Sequence, residues 1–209
     1  MRGGVSSCRL KDAFSSSDTP ALRKQVHISI GDFHASRRPC VIYTLLGSCV
    51  AACLFDPVSR IGGMNHILMP GRADLSRFDM AARYGINAME LLINRIMNLG
   101  GDRRNLVAKI FGGAHTLAAI PRENGMGQKN ITFLTSFLKN EGIRILSQDT
   151  GGTRSRKIFF HTDIGDVFLR RGRVVNHSPL IRTERVMCEQ VKTEIGKPGD
   201  VTFFNNAGE

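Results

Sequence analysis

One cysteine and one histidine in the stretch TLLGSCVAACLFDPVSRIGGMNHILMP (residues 44–70) are spaced to do chemistry together. They are Cys49 and His66. A thiol beside an imidazole forms a nucleophile–base pair: the nitrogen takes the proton and the sulfur attacks an electrophilic carbon. The competing use of Cys49 is as a small buried hydrophobe, the common fate of an unbridged cysteine. Cys53, two positions on along the same face as Ala51, reads that way.

The elements around them must supply the proximity. CVAACLF is a short apolar run, Asp56-Pro57-Val58-Ser59 has turn chemistry, and Arg60 to Met69 is a second apolar run opened by Gly62-Gly63. A hairpin that pairs Phe55 with Arg60 sets Leu54 opposite Ile61, Cys53 opposite Gly62 and Cys49 opposite His66. Opposed residues of antiparallel strands share a face, with Cβ atoms about 4.5–5.5 Å apart. A slip of one residue would send His66 to the other face. Gly47 and Ser48 break the strand before Cys49. They read either as a simple bend or as backbone that lets a substrate approach and offers N–H donors to an oxyanion.

These residues carry a resemblance. LGSCVAACLFDP followed by GGMNHILMP, then YGINAMELLINRIMNLGG (84–101), LVAKIFGGA (106–114) and GIRILSQDTGGTRSRKIFF (142–160), resembles the CheD family of chemoreceptor glutamine deamidases over about residues 25–170. The resemblance implies that Cys49 is the nucleophile, that His66 is its base, and that Thr44, with Tyr43 beside it, is the third member of a triad. It implies attack on a receptor glutamine amide, loss of ammonia, a thioester, and hydrolysis to glutamate, with no metal or organic cofactor. A neighbouring imidazolium is expected to populate the thiolate, since an unperturbed thiol has a pKa of about 8.5. The expected partners are methyl-accepting chemotaxis receptors and a CheC-type phosphatase. A receptor methylesterase side activity would be compatible with the thioester. The alternative is a non-catalytic docking module that regulates such a phosphatase.

Composition sets the outer bounds. The chain has 209 residues, 42% of them hydrophobic, enough for one domain with a core. No apolar run reaches the ~18 residues of a membrane span, and the first residues lack the apolar segment of a signal peptide. Cys8, Cys40, Cys49, Cys53 and Cys188 are odd in number and scattered, without a zinc-binding pattern. Thiols without an export signal point to the cytoplasm. The formal net charge is +11. Steering toward a Glu-rich receptor bundle explains it best, a neutral surface role next, and nucleic acid last, because in the sequence the aromatics do not interleave with the basic residues.

The rest of the chain reads as an α+β layout, with mixed or antiparallel sheet layers flanked by helices, as the resemblance also implies. Strands are expected at 26–30, 41–46, 106–111, 143–146, 157–162 and 166–170. Helical spacing runs through Tyr84, Ala88, Leu91, Leu92, Ile96 and Leu99, with Asp79 as its cap, and again through Ile131, Leu134, Phe137 and Leu138 with Gly142 at the C-terminus. Gly112-Gly113-Ala114 is too short a motif for a phosphate site, and the resemblance makes it an architectural or pocket-edge turn. His115 reads as a loop residue. Arg154, Arg156 and Lys157 form a basic edge. Residues 1–24 are expected as a disordered leader, 25–172 as the deamidase domain, and 173–209 as a partly disordered extension.

Overall fold

A computed structural model describes residues 23–68, 80–115 and 125–174, together with residues 182 and 186. The expected leader, the Asp79 cap, the polar loop at 72–77 and nearly all of the C-terminal extension lie outside the described residues.

Among the described residues, nine strands and two long helices form three layers. The first sheet joins β2 (Phe33–Ser36), β5 (Ile61–Asn65), β4 (Val50–Asp56), β6 (Val107–Gly112) and β7 (Arg144–Thr150) in that order. The second joins β1 (Lys24–His27), β3 (Cys40–Leu46), β8 (Arg154–His161) and β9 (Val167–Val174). Pairing is antiparallel except between β1 and β3 and between β6 and β7. Helices α1 (Met80–Asn98) and α2 (Met126–Asn140) cover the outer face of the five-stranded sheet.

Strand β4 shows why its sequence is so apolar. Val50, Ala52 and Leu54 pack toward Met89, Leu92 and Ile93 of α1 and Leu134 of α2. Ala51 and Cys53 face the opposite way, into a layer with Ile42, Leu46, Ile158 and Phe160 of the second sheet. A strand buried on both faces needs an unbroken apolar run rather than an alternating one. Gly62 and Gly63 serve the same close packing. A Cβ on Gly62 would lie 2.7 Å from the Thr162 carbonyl oxygen, and one on Gly63 would lie 2.7 Å from Leu92 Cδ1.

The hairpin register differs from the expected one by two. Asp56 pairs with Ile61, Phe55 with Gly62 and Cys53 with Met64, and an isolated bridge joins Val50 to Ile67. The Asp56 carboxylate sets this register. It accepts hydrogen bonds from the Val58 and Ser59 N–H groups at 2.8 and 3.1 Å, so Asp56 stays in the ladder and the turn occupies Pro57 to Arg60. Arg60 takes the left-handed conformation, with φ 55°. Cys49 is therefore not directly opposite His66. A shift of two leaves every side chain on its expected face, and both residues still point between the sheets.

Candidate active site

Cys49 is 1% exposed and belongs to the apolar layer between the sheets. The bend that carries it is held at successive carbonyls. The Gly47 oxygen accepts from Ala114 N–H at 2.7 Å, the Ser48 oxygen from Asn130 Nδ2 at 2.8 Å, and the Cys49 oxygen from Gly113 N–H at 2.7 Å. Val50 exchanges two backbone hydrogen bonds with Ile67 immediately beyond. The Gly112-Gly113-Ala114 turn is thus the mould of the cysteine bend, and Asn130, fully buried on α2, is its second support. Sequence reasoning left Asn130 unread. Its only signal was a polar residue on the apolar stripe of α2.

The mould is itself braced. Arg156, expected on a basic edge, is 4% exposed instead. Strand alternation puts it on the inner face of β8, in line with Ile158 and Phe160. Its guanidinium donates to Asp149 Oδ1 at 2.7 Å, to the Gly112 oxygen at 3.3 Å and to the Gly151 oxygen at 2.5 Å. A buried arginine is tolerated only with its donors satisfied and its charge paired, and Asp149 supplies the pairing.

His66 follows β5 at the point where that strand leaves β4. Its N–H donates to the Asp32 oxygen at 3.0 Å, and its carbonyl accepts from Gly31 N–H at 2.8 Å. Asn65 fills the break in the ladder: its Oδ1 accepts the Ala52 N–H at 3.0 Å. The imidazole reaches across to the second sheet, where Thr44 Oγ1 lies 2.8 Å from Nδ1. Thr44 Oγ1 also donates to the Ile28 carbonyl oxygen at 2.7 Å. A carbonyl can only accept, so the single hydroxyl proton goes to Ile28 and the hydroxyl oxygen accepts from Nδ1–H. That fixes the tautomer and leaves the lone pair on Nε2. Nε2 is buried and has no hydrogen-bond partner among the described residues. Tyr43 lies on the outer face of the same strand, stacked on Phe159, and does not reach the imidazole layer.

Burial, reinforced by the charge of His27, pushes the His66 imidazole down to about 3. The ring is neutral at rest, contrary to the imidazolium expected from the sequence. Burial pushes the Cys53 thiol up, consistent with its reading as core. Cys40, Cys49 and Cys53 form no disulfide.

Comparison with known proteins gives concordant results. A family model described as "CheD chemotactic sensory transduction" matches residues 68–171. The "Probable chemoreceptor glutamine deamidase CheD" of Agrobacterium fabrum is 48% identical over 67% of this chain and 76% of its own length. The protein of the same name from Sinorhizobium medicae is 47% identical over 71% and 80%. That from Thiobacillus denitrificans is 37% identical over 83% of this chain and 86% of its own. Identity at this level over most of each relative's length, on an α+β sandwich of the expected layering, means that the chain belongs to the CheD family.

Proposed function

We propose that the protein is a chemoreceptor glutamine deamidase in which Cys49 is the nucleophile, His66 the general base and Thr44 the residue that orients it. The observation that carries this reading is the chain Ile28 oxygen, Thr44 hydroxyl, His66 Nδ1–H, which leaves a buried Nε2 lone pair as the proton acceptor. A neutral imidazole is the form a general base needs. It takes the Sγ proton as sulfur attacks the side-chain amide carbon. The tetrahedral oxyanion collapses, the imidazolium gives its proton to the departing nitrogen, and ammonia leaves a thioester. Water, deprotonated by the same Nε2, releases glutamate and the thiol.

The substrate follows from the family: glutamines of chemotaxis receptors. The reading also includes a CheC-type phosphatase as partner and a cytoplasmic location. Among the described residues, no helix is long and apolar enough to cross a membrane. Incubation with a receptor cytoplasmic fragment, followed by peptide mass spectrometry, is the direct test. Wild type should convert defined glutamines to glutamate, and Cys49→Ala should leave them intact. Equal conversion by both proteins would rule the mechanism out.

A further inference from the structure

Among the described residues, α1 and α2 cover one side of the sandwich, and no helix lies on the outer face of the four-stranded sheet. Two rows of side chains cross it. One runs His27, Tyr43, Phe159, Phe168 and the other Leu45, Lys157, Arg170, as strand register dictates. Phe168 is 58% and Leu45 42% exposed. Lys157 and Arg170 are exposed as well. Neither row contains a carboxylate. In the linear sequence the aromatics and the basic residues looked separate, but β-pairing interleaves them.

The ring geometry indicates what kind of partner suits this face. Tyr43 and Phe159 stack on each other with centroids 5.9 Å apart, and His27 packs on Tyr43 at 5.2 Å. Lys157 Nζ sits over both rings, 4.8 Å from the Tyr43 centroid and 5.3 Å from that of Phe159. The electron-rich faces of these rings are therefore already engaged by a cation and by one another. What the rows offer outward is positive charge with apolar contact at Leu45 and Phe168. That suits carboxylates on a helix with apolar neighbours better than stacked bases, which need open ring faces. The face also adjoins the cysteine bend. Leu45 stands four residues before Cys49, at most ~14 Å of chain. A helix is about 10–12 Å across, so a helical bundle that presents one residue to Cys49 can lay a neighbouring helix over this row.

We propose that this bare sheet face, along Leu45, Lys157 and Arg170, is the docking surface for a carboxylate-rich helical protein, which on the deamidase reading above is the receptor itself. The test uses full-length protein with Lys157→Glu and Arg170→Glu together, a pair that stays like-charged and so preserves the local repulsion. Binding of a labelled receptor cytoplasmic fragment is measured by fluorescence anisotropy in the Cys49→Ala background, so that it does not depend on catalysis. The charge-reversed protein should bind on the order of tenfold more weakly at low salt and lose most of its salt dependence. Its melting temperature should fall by only a few degrees, the cost of the lost Lys157 ring contacts, and the alkylation rate of Cys49 by iodoacetamide, measured with Cys49 present, should match wild type. Polyglutamate should compete with the receptor fragment for wild type. Unchanged receptor binding by the reversed pair would overturn the proposal. So would oligodeoxythymidylate binding more tightly than the receptor fragment, because the face would then be a nucleic-acid surface. Failure of the deamidase reading would appear separately, as receptor binding without conversion of glutamine by wild type.

Discussion

At the scale of single residues, the site is a relay in which each polar atom has one permitted role. The Ile28 carbonyl can only accept, which fixes the Thr44 hydroxyl proton, which in turn fixes the Nδ1–H of His66. Thr44→Val removes the hydroxyl that holds this order. Turnover should fall on the order of 100-fold, the lower end of what a positioned general base contributes. Thr44→Ser keeps the hydroxyl and should recover most of the loss. Equal rates for the Val and Ser variants would remove Thr44 from the relay. Cys49 and His66 stand out in the sequence because they sit in long, specific motifs, whereas Thr44 only precedes the first of them, with Tyr43 beside it. The sequence did not make the resting protonation state legible. The expected imidazolium followed from pairing a thiol with an imidazole, whereas burial between two sheets disfavours the charged ring. Arg156 was misread as well. Its neighbours Arg154 and Lys157 are exposed, while alternation along β8 sets Arg156 on the inner face with Ile158 and Phe160.

At the scale of elements, glycines decide how the cysteine bend is held. Gly112 has φ 107°, and a Cβ there would lie 2.2 Å from the Cys49 carbonyl oxygen. Gly112→Ala should therefore displace the bend as well as strain the backbone. Turnover is expected to collapse, with a stability loss beyond the ~1–2 kcal/mol of a left-handed non-glycine residue alone. Gly142 is the control. It ends α2 with φ 67° and has nothing within 4 Å of an added Cβ, so Gly142→Ala should show the backbone cost and normal turnover. Paired thermal melts and deamidation rates separate the two cases. Most elements were readable from apolar spacing and from glycine punctuation. Strand β2 was not, because FHAS is short, half polar and hemmed by Gly31-Asp32 on one side and two arginines on the other. The hairpin register was off by two because Asp56 looked like a turn residue. It is one, but its carboxylate caps the turn from a position still inside the ladder.

At the scale of the whole molecule, the two sheets close over an ionisable ring. An imidazole in the unfolded chain titrates near 6.5, while His66 in the fold is held at about 3. Between those values the unfolded chain binds a proton that the native state refuses. The contribution of His66 to native stability should accordingly fall as pH drops from about 6.5 toward 3 and level off below that range. Urea midpoints measured at neutral pH and in this acid range would register the slope, and His66→Gln should flatten it. A slope unaltered by that substitution would mean that other groups govern acid sensitivity. The sequence foretold layered sheets with two helices but not which face would be left bare, since that depends on which strands α1 and α2 cover. The division of labour across the layers has one more effect. Sulfur and imidazole ride on one sheet, while the hydroxyl and the carbonyl that discipline the imidazole ride on the other. On the mechanism proposed above, neither sheet would be competent by itself, and a half-assembled chain would carry only an ordinary thiol until the sandwich has shut.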